Sequence, residues 1–243
     1  MNLMKHFIDR RDFLKLGVTG AFGMMVTAAD LLWQVEQAKA AGLPNGSLAI
    51  PQSLSADAAL QKLIEGNQRF VQHKPQYPDQ SAARLQEVAQ AQHPFATILS
   101  CADSRVPAEI LFDQGIGDIF DVRVAGNIAT PETLGSIEYA VVLLGTPLVM
   151  VLGHERCGAV TAAVQNESLL GEIGSFVKAI KPAVKRVKDR PGDAVDNAVV
   201  ANVQYQIERL KRSKLLTEQI EAGKLKIVGG RYDLDTGSVT MIT

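Results

Sequence analysis

Two short segments of this 243-residue sequence carry side chains that can do chemistry. In SCADSRVP, Cys101 stands two residues before Asp103 and four before Arg105. In GHERCG, His154 stands three residues before Cys157, and the chain has only these two cysteines. Together the segments supply two thiols, an imidazole and a carboxylate. Two sulfur ligands with one or two nitrogen or oxygen ligands favour zinc over hard cations such as Mg²⁺.

Spacing alone leaves other interpretations of the cysteines open. A disulfide between Cys101 and Cys157 fits an exported protein with an even cysteine count, and it would stabilise the fold by about 4 kcal/mol. It leaves His154, Asp103 and Arg105 without a role. Cys101 also fits a buried small apolar residue or a lone reactive thiol, but neither explains a second cysteine beside a histidine. The metal site accounts for more of the pattern.

Each segment follows a short apolar run that predicts a buried strand. HPFATILSC leads into the first segment, and PLVMVL leads into the second. In a parallel sheet, sites lie beyond the carboxyl ends of the strands, so we expect the segments to meet at that edge.

The rest of the pattern alternates between strands and helices. It predicts a single α/β domain with a mainly parallel central sheet flanked by helices, and a C-terminal strand pair at the sheet edge. The predicted strands are 95–100, 118–124 and 147–152, with a final pair on either side of a turn at 235–237. The predicted helices begin after Ser55 and cover 81–92, 108–114, 131–144, a stretch from Ala159, and two long segments between 171 and 222.

The N-terminus predicts an export signal. Paired Arg10 and Arg11 precede a mild apolar stretch, and Ala38-Lys39-Ala40 has a small-x-small cleavage pattern. This order resembles a twin-arginine signal peptide. Because Asp30 ends the apolar run early, a cytosolic amphipathic helix or an uncleaved anchor is the alternative.

These features divide the chain into three parts. We expect a signal peptide at 1–40 that is cleaved near Ala40, a linker at 41–52, and a catalytic domain at 53–243. The export machinery would then deliver a periplasmic or otherwise exported protein. A formal net charge of -1 argues against a nucleic-acid partner, which would require a basic surface.

The two segments belong to a longer stretch that resembles a known family. CADSRVPAEILFDQGIGDIFDVRVAGNI followed by GHERCGAV resembles the β-class carbonic anhydrases. EGNQRF at 65–70 and VGGRYDLDTG at 228–237 extend the resemblance over most of the chain after the signal. The combination of CxDSR with a later HxxC is far more specific than either motif alone.

The resemblance implies a role for each residue of the two segments. Cys101, His154 and Cys157 are the expected ligands of Zn²⁺. Asp103, paired with Arg105, is expected to orient zinc-bound hydroxide toward carbon dioxide. In a closed state, Asp103 would itself take the fourth zinc position.

The resemblance also implies two substrate contacts and an assembly. Gln114 and the backbone of Gly158 are expected to contact the substrate. Family members form homodimers or higher even-numbered homo-oligomers, so we expect a partner subunit to bury Leu63 and Phe70 of the helix after Ser55.

The implied activity is that of a carbonate dehydratase, a zinc lyase that reversibly hydrates carbon dioxide to bicarbonate and a proton. Hydrolysis of carbonyl sulfide or carbon disulfide at the same site is the alternative within the same chemistry. A zinc-binding module without turnover is the alternative from another class.

Overall fold

The computed structural model describes residues 54–166 and 169–242. The predicted signal peptide, its cleavage site near Ala40 and the predicted linker lie outside the described residues. Within the described ranges, none of the helices has the length and apolar character needed to span a bilayer.

A five-stranded sheet with the order β2-β1-β3-β4-β5 forms the centre of the fold. The first four strands pair in parallel, and the last pairs antiparallel with its neighbour at the sheet edge. This architecture confirms the predicted fold class. The strands are β1 (Ala96–Ser100), β2 (Ile119–Arg123), β3 (Leu148–His154), β4 (Lys226–Tyr232) and β5 (Val239–Ile242).

The helices begin at capping residues that the sequence supplies. Ser55 and Ser81 each accept a hydrogen bond from a backbone N–H of the first turn, which satisfies one of the free donors there. The helices are α1 (Ala56–Val71), α2 (Ala82–Val88), α3 (Ala108–Leu111), α4 (Pro131–Val142), α5 (Gly158–Gln165), α6 (Gly174–Arg186), α7 (Ala194–Leu210) and α8 (Lys214–Glu221), with a 3₁₀ turn at Gly171–Ile173.

Several of the predicted helix boundaries were wrong. The helix predicted at 81–92 ends at Val88, the one predicted at 108–114 ends at Leu111, and the one predicted at 131–144 ends at Val142. The region after residue 171 holds three α-helices rather than two, because the chain breaks again after Leu210, where Ser213 caps a new helix.

Helices cover both faces of the sheet, as a parallel sheet requires. On one face, Ile98 and Met150 pack in a fully buried cluster with Leu63 of α1. On the other face, Leu99 and Val151 pack with apolar residues of α4, α7 and α8. Successive side chains of a strand point to opposite faces of the sheet. Because helices cover both faces, the residues on both are apolar, and the strand sequences are continuous apolar runs.

The structure corrects the expected role of α1. Leu63 is fully buried by the chain's own core, and Phe70 packs against the same cluster. Asn67 explains this docking, because its amide donates to the carbonyls of Leu111 and Gly237 at 3.0 and 2.9 Å. The prediction that a partner subunit buries Leu63 was therefore wrong.

Helix α7 approaches the sheet closely beside the second segment. A side chain at Gly153 would place its Cβ 2.7 Å from Cγ2 of Val203, so only glycine fits at this crossing. The next residue along β3 is His154, whose position is therefore fixed by a tightly packed strand.

Candidate metal centre

The two segments meet at the carboxyl edge of the sheet, as predicted. Cys101 follows the last residue of β1, and Cys157 is the N-cap residue of α5. His154 is the last residue of β3, whereas the sequence pattern placed it in the turn after a strand ending at residue 152. The strand is longer because β4 continues beside it and pairs Tyr232 with His154.

Cys101, His154 and Cys157 form a buried cluster whose three potential ligand atoms lie within 4.8 Å of one another. The two Sγ atoms are 4.0 Å apart. Two sulfurs on a tetrahedral zinc ion at 2.3 Å would be separated by about 3.8 Å. The Nε2 atom of His154 is buried without a hydrogen-bond partner in the described part of the chain. Both features fit a zinc ion held by these three residues.

Both cysteines are free in the structure. Their separation is about twice the length of a disulfide bond. The contact between the two thiols lowers the pKa of Cys101 and raises the pKa of Cys157. Metal binding would release any proton left on the two sulfurs, because zinc ligates the thiolate form.

The ring of His154 is oriented by its neighbour. Nδ1 lies 2.8 Å from the carbonyl oxygen of Glu155, so Nδ1 carries the proton and Nε2 is the atom available to a metal. The Glu155 carboxylate accepts from Arg231 Nη2 at 2.6 Å and from the backbone N–H of Leu234 at 3.2 Å. These contacts attach the metal-ligand turn to the end of β4.

Asp103 lies beside the cluster and is held by Arg105. Arg105 donates to both carboxylate oxygens, and its backbone N–H also donates to Oδ1. The side-chain hydrogen bonds from Arg105 hold the pKa of Asp103 well below its usual range. Oδ2 of Asp103 remains 3.8 Å from His154 Nε2. In this arrangement the carboxylate faces the arginine.

Arg123 is a site residue that the sequence reasoning missed. From the end of β2, it donates to the carbonyl oxygens of Cys101 at 3.1 Å and Asp103 at 2.6 Å. It thereby fixes the backbone that carries the first ligand and the carboxylate. Its position at the carboxyl end of a strand next to β1 was the available signal.

The two expected substrate contacts lie in different places. Gly158 is exposed directly after Cys157, and a Cβ built there meets none of the described atoms within 4 Å. Gln114 instead lines a separate cavity of about 640 Å³, and none of the three clustered residues lines that cavity. Gln114 is buried, and its Oε1 has no hydrogen-bond partner among the described residues. One chain therefore does not bring Gln114 to the cluster.

Comparison with protein families gives a match over residues 96–239 to the family model described as carbonic anhydrase. That range contains all seven predicted site residues. Carbonic anhydrase 2 of Mycobacterium tuberculosis is 44% identical over 189 residues, which cover 76% of this chain and 91% of the relative.

Solved structures with the same fold carry related names. The β-carbonic anhydrase CcaA is 28% identical with a TM-score of 0.62, and the match covers 75% of this chain and 94% of that one. The β-carbonic anhydrase CafA of Aspergillus fumigatus is 26% identical with a TM-score of 0.62, and the match covers 76% of this chain and 89% of that one.

Proposed function

This chain belongs to the β-class carbonic anhydrase family, and we propose that it catalyses the reversible hydration of carbon dioxide to bicarbonate and a proton. One observation carries the proposal beyond family membership. The two cysteines and the histidine converge at one sheet edge, with a free Nε2 atom and an ion-paired carboxylate beside them.

We propose that Cys101, His154 and Cys157 hold Zn²⁺. Two thiolates and a neutral imidazole balance the charge of the ion, so the buried site carries no uncompensated charge. The zinc would supply a Lewis acid that lowers the pKa of a coordinated water molecule. The protein's own contribution is to hold these three buried side chains together beside Asp103.

Asp103 is the proposed orienting group. An ionised carboxylate accepts hydrogen bonds only, so it can fix the orientation of an attacking water molecule through that molecule's proton. Arg105 lowers the pKa of Asp103, which keeps the carboxylate ionised, and donates to both of its oxygens. The pair is therefore proposed to act as a unit, with Asp103 in contact with the reacting water and Arg105 acting through Asp103.

We propose that the active form is a homo-oligomer in which the Gln114 cavity faces a second subunit. Ile110 and Ile116 line this cavity and remain exposed, as does Tyr77. Exposed apolar side chains grouped around a concave surface are typical of subunit contacts. Gln114 would then donate or accept a hydrogen bond at the partner's substrate site, which its own chain does not bring within its reach.

The decisive experiment is elemental analysis of the purified protein, combined with a thiol count under denaturing, non-reducing conditions and a rate of carbon dioxide hydration at pH 8.5. We expect one zinc per chain, two free thiols and turnover. Cys157→Ser should lose both zinc and turnover, while Ser104→Ala, an exposed neighbour in the first segment, serves as the matched control. A zinc-loaded protein without turnover would support the non-catalytic module instead.

We further propose that the protein is exported through its twin-arginine-type N-terminus and cleaved near Ala40. The support is the order of paired arginines, apolar stretch and small-x-small site in the sequence. A route that accepts folded cargo would allow zinc to bind before the protein leaves the cytoplasm.

A further inference from the structure

We propose that Asn202 and Gln206 are positioning residues for the metal centre. Both lie in α7, and together they fix the loop whose Gly126 N–H donates a hydrogen bond to the sulfur of Cys101. The inference rests on the proposed zinc site and extends it to two residues that lie 101 and 105 positions after Cys101 in the chain and belong to neither motif.

A continuous chain of hydrogen bonds links α7 to the loop. Asn202 Nδ2 donates to the carbonyl oxygen of Gly126 at 2.9 Å, and Gln206 Nε2 donates to Asn202 Oδ1 at 2.9 Å. Gln206 Oε1 accepts from the backbone N–H of Ala129 at 3.0 Å. The two amides thus bind both ends of the segment 126–129 and orient each other.

The side-chain amides of Asn202 and Gln206 are buried, so the loss of their hydrogen bonds would be costly. Asn202 and Gln206 are both fully buried. Loss of a hydrogen bond by a buried amide is destabilising, because an unpaired polar group in the interior is costly. The side chains of Asn202 and Gln206 therefore favour the loop position in which these hydrogen bonds are made.

The loop in turn contacts the first ligand. The N–H of Gly126 lies 3.3 Å from Sγ of Cys101, in a buried contact. Gly126 has a φ of 74°, and a side chain there would place its Cβ 2.6 Å from Cδ1 of Ile180. Close packing by Ile180 and the hydrogen bond from Asn202 to the Gly126 carbonyl therefore both hold the residue whose N–H contacts the sulfur.

An N–H that points at a thiolate withdraws negative charge from the sulfur and restricts where the sulfur can sit. Hydrogen bonds to ligand atoms set the affinity and the electronic properties of a metal site. We therefore expect loss of the Asn202 amide to weaken zinc binding and to change the bond between Cys101 and the metal. A purely structural role for Asn202 predicts lower stability without either effect.

The test uses Asn202→Leu, which keeps the number and branching of the side-chain heavy atoms but has no hydrogen-bonding groups, and Gln206→Met, which removes the support of Asn202 but leaves Asn202 in place. Zinc affinity is measured by chelator competition on the full chain. The sulfur–metal bond is measured by the thiolate-to-metal charge-transfer band after loading with Co²⁺ alone. We expect Asn202→Leu to bind zinc about 10- to 100-fold more weakly and to shift the band, with a smaller change in the same direction for Gln206→Met.

Leu216→Ala is the matched control, because Leu216 is fully buried in α8 and contributes only apolar contacts to the core. It should lower the melting temperature while leaving zinc affinity and the Co²⁺ band at their wild-type values. Wild-type affinity and an unshifted band in a folded Asn202→Leu or Gln206→Met protein would overturn the inference, as would equal losses in Leu216→Ala. A wild-type chain that binds no metal would instead refute the zinc site itself, and this inference with it.

Discussion

Arg105 donates hydrogen bonds to both carboxylate oxygens of Asp103, with Nε 2.9 Å from Oδ1 and Nη2 2.7 Å from Oδ2. The same carboxylate lies 3.8 Å from the unpartnered Nε2 atom of His154. Asp103 therefore stands between an arginine that satisfies it and a metal position that it could reach. In the proposed zinc site, the partner that Asp103 takes would decide whether a water molecule has access to the metal.

Removal of the arginine should raise the pH that the enzyme needs for activity. In Arg105→Ala, the pKa of Asp103 is no longer held low, and the carboxylate is free to become a competing metal ligand. Hydroxide competes with that carboxylate better at higher pH, so we expect the midpoint of the pH–rate profile for carbon dioxide hydration to move upward. Stopped-flow rates between pH 6.5 and 9.5 measure it.

Arg105→Lys is the control for this prediction. Lysine keeps the positive charge but cannot make the two parallel hydrogen bonds, so its profile should lie between those of the wild type and the alanine variant. A profile for Arg105→Ala that matches the wild type would show that Arg105 does not control Asp103.

The strands, and the edge where the site lies, were predictable because short apolar runs alternate with helical segments and parallel strands share a carboxyl end. The end of β3 was not predictable, because Gly153 and His154 are not apolar and join the strand only through pairing with Arg231 and Tyr232. Local patterns carry no signal for such pairing.

The contacts proposed to position the ligand Cys101 could not be predicted from the sequence either. Asn202 reaches Gly126 across 76 positions, and Gln206 reaches Ala129 across 77. From sequence alone, an amide side chain on a helix is expected to face solvent, because its burial depends on tertiary contacts. The docking of α1 was predicted wrongly because the sequence shows that Leu63 is apolar but not whether its own chain or a partner subunit buries it.

Removal of zinc should lower both activity and stability. The proposed site is assembled only in the folded chain, so a metal ion at 1,000 times its dissociation constant would add about 4 kcal/mol to the free energy of unfolding. We expect chelated protein to lose turnover and to melt at a lower temperature by calorimetry. Zn²⁺ should restore both properties, whereas Ca²⁺, which prefers oxygen ligands, should restore neither. Retention of turnover and melting temperature after complete zinc removal would contradict the proposed site.

Asp121→Asn should stabilise the protein above neutral pH. Burial, followed by the nearby Glu109, raises the pKa of Asp121 from 3.8 to about 6, although Arg123 and Ser100 partly oppose the shift. The folded state then binds more protons than the unfolded state between these values, so the contribution of Asp121 to stability falls as the pH rises from about 4 to 6. Asparagine avoids this loss, and we expect a gain of about 1 to 2 kcal/mol at pH 8 after allowance for partial exposure.

Urea unfolding of both proteins at pH 4 and pH 8 measures this effect, and the difference between them should vanish at the lower pH. Asp235→Asn is the control with the opposite sign, because Arg156 lowers the pKa of Asp235. That variant should be no more stable than the wild type at pH 8. Equal stabilisation of Asp121→Asn at both pH values would rule out a titrating carboxylate as the cause.

Ile110→Glu should dissociate the proposed assembly and reduce turnover. Ile110 is 60% exposed on the rim of the Gln114 cavity, so a carboxylate there leaves the isolated chain unstrained but is costly at an apolar contact. Light scattering coupled to gel filtration should give a smaller mass. Ile173→Glu is the control, since Ile173 is 51% exposed and does not line the cavity. An unchanged mass for Ile110→Glu would place the subunit contact elsewhere.

Cleavage near Ala40 should remove tryptophan fluorescence from the mature protein. Trp33 is the only tryptophan in the chain, and it lies before the predicted cleavage site. Protein purified from the exported fraction should therefore emit from tyrosine alone, and its mass should match a chain that begins at residue 41. Replacement of Arg10 and Arg11 by lysine keeps the charge but removes the twin-arginine pattern, so full-length, fluorescent protein should then accumulate in the cytoplasm. Tryptophan emission from the exported protein would refute cleavage after Trp33, and export of the lysine variant at the wild-type level would refute the twin-arginine route.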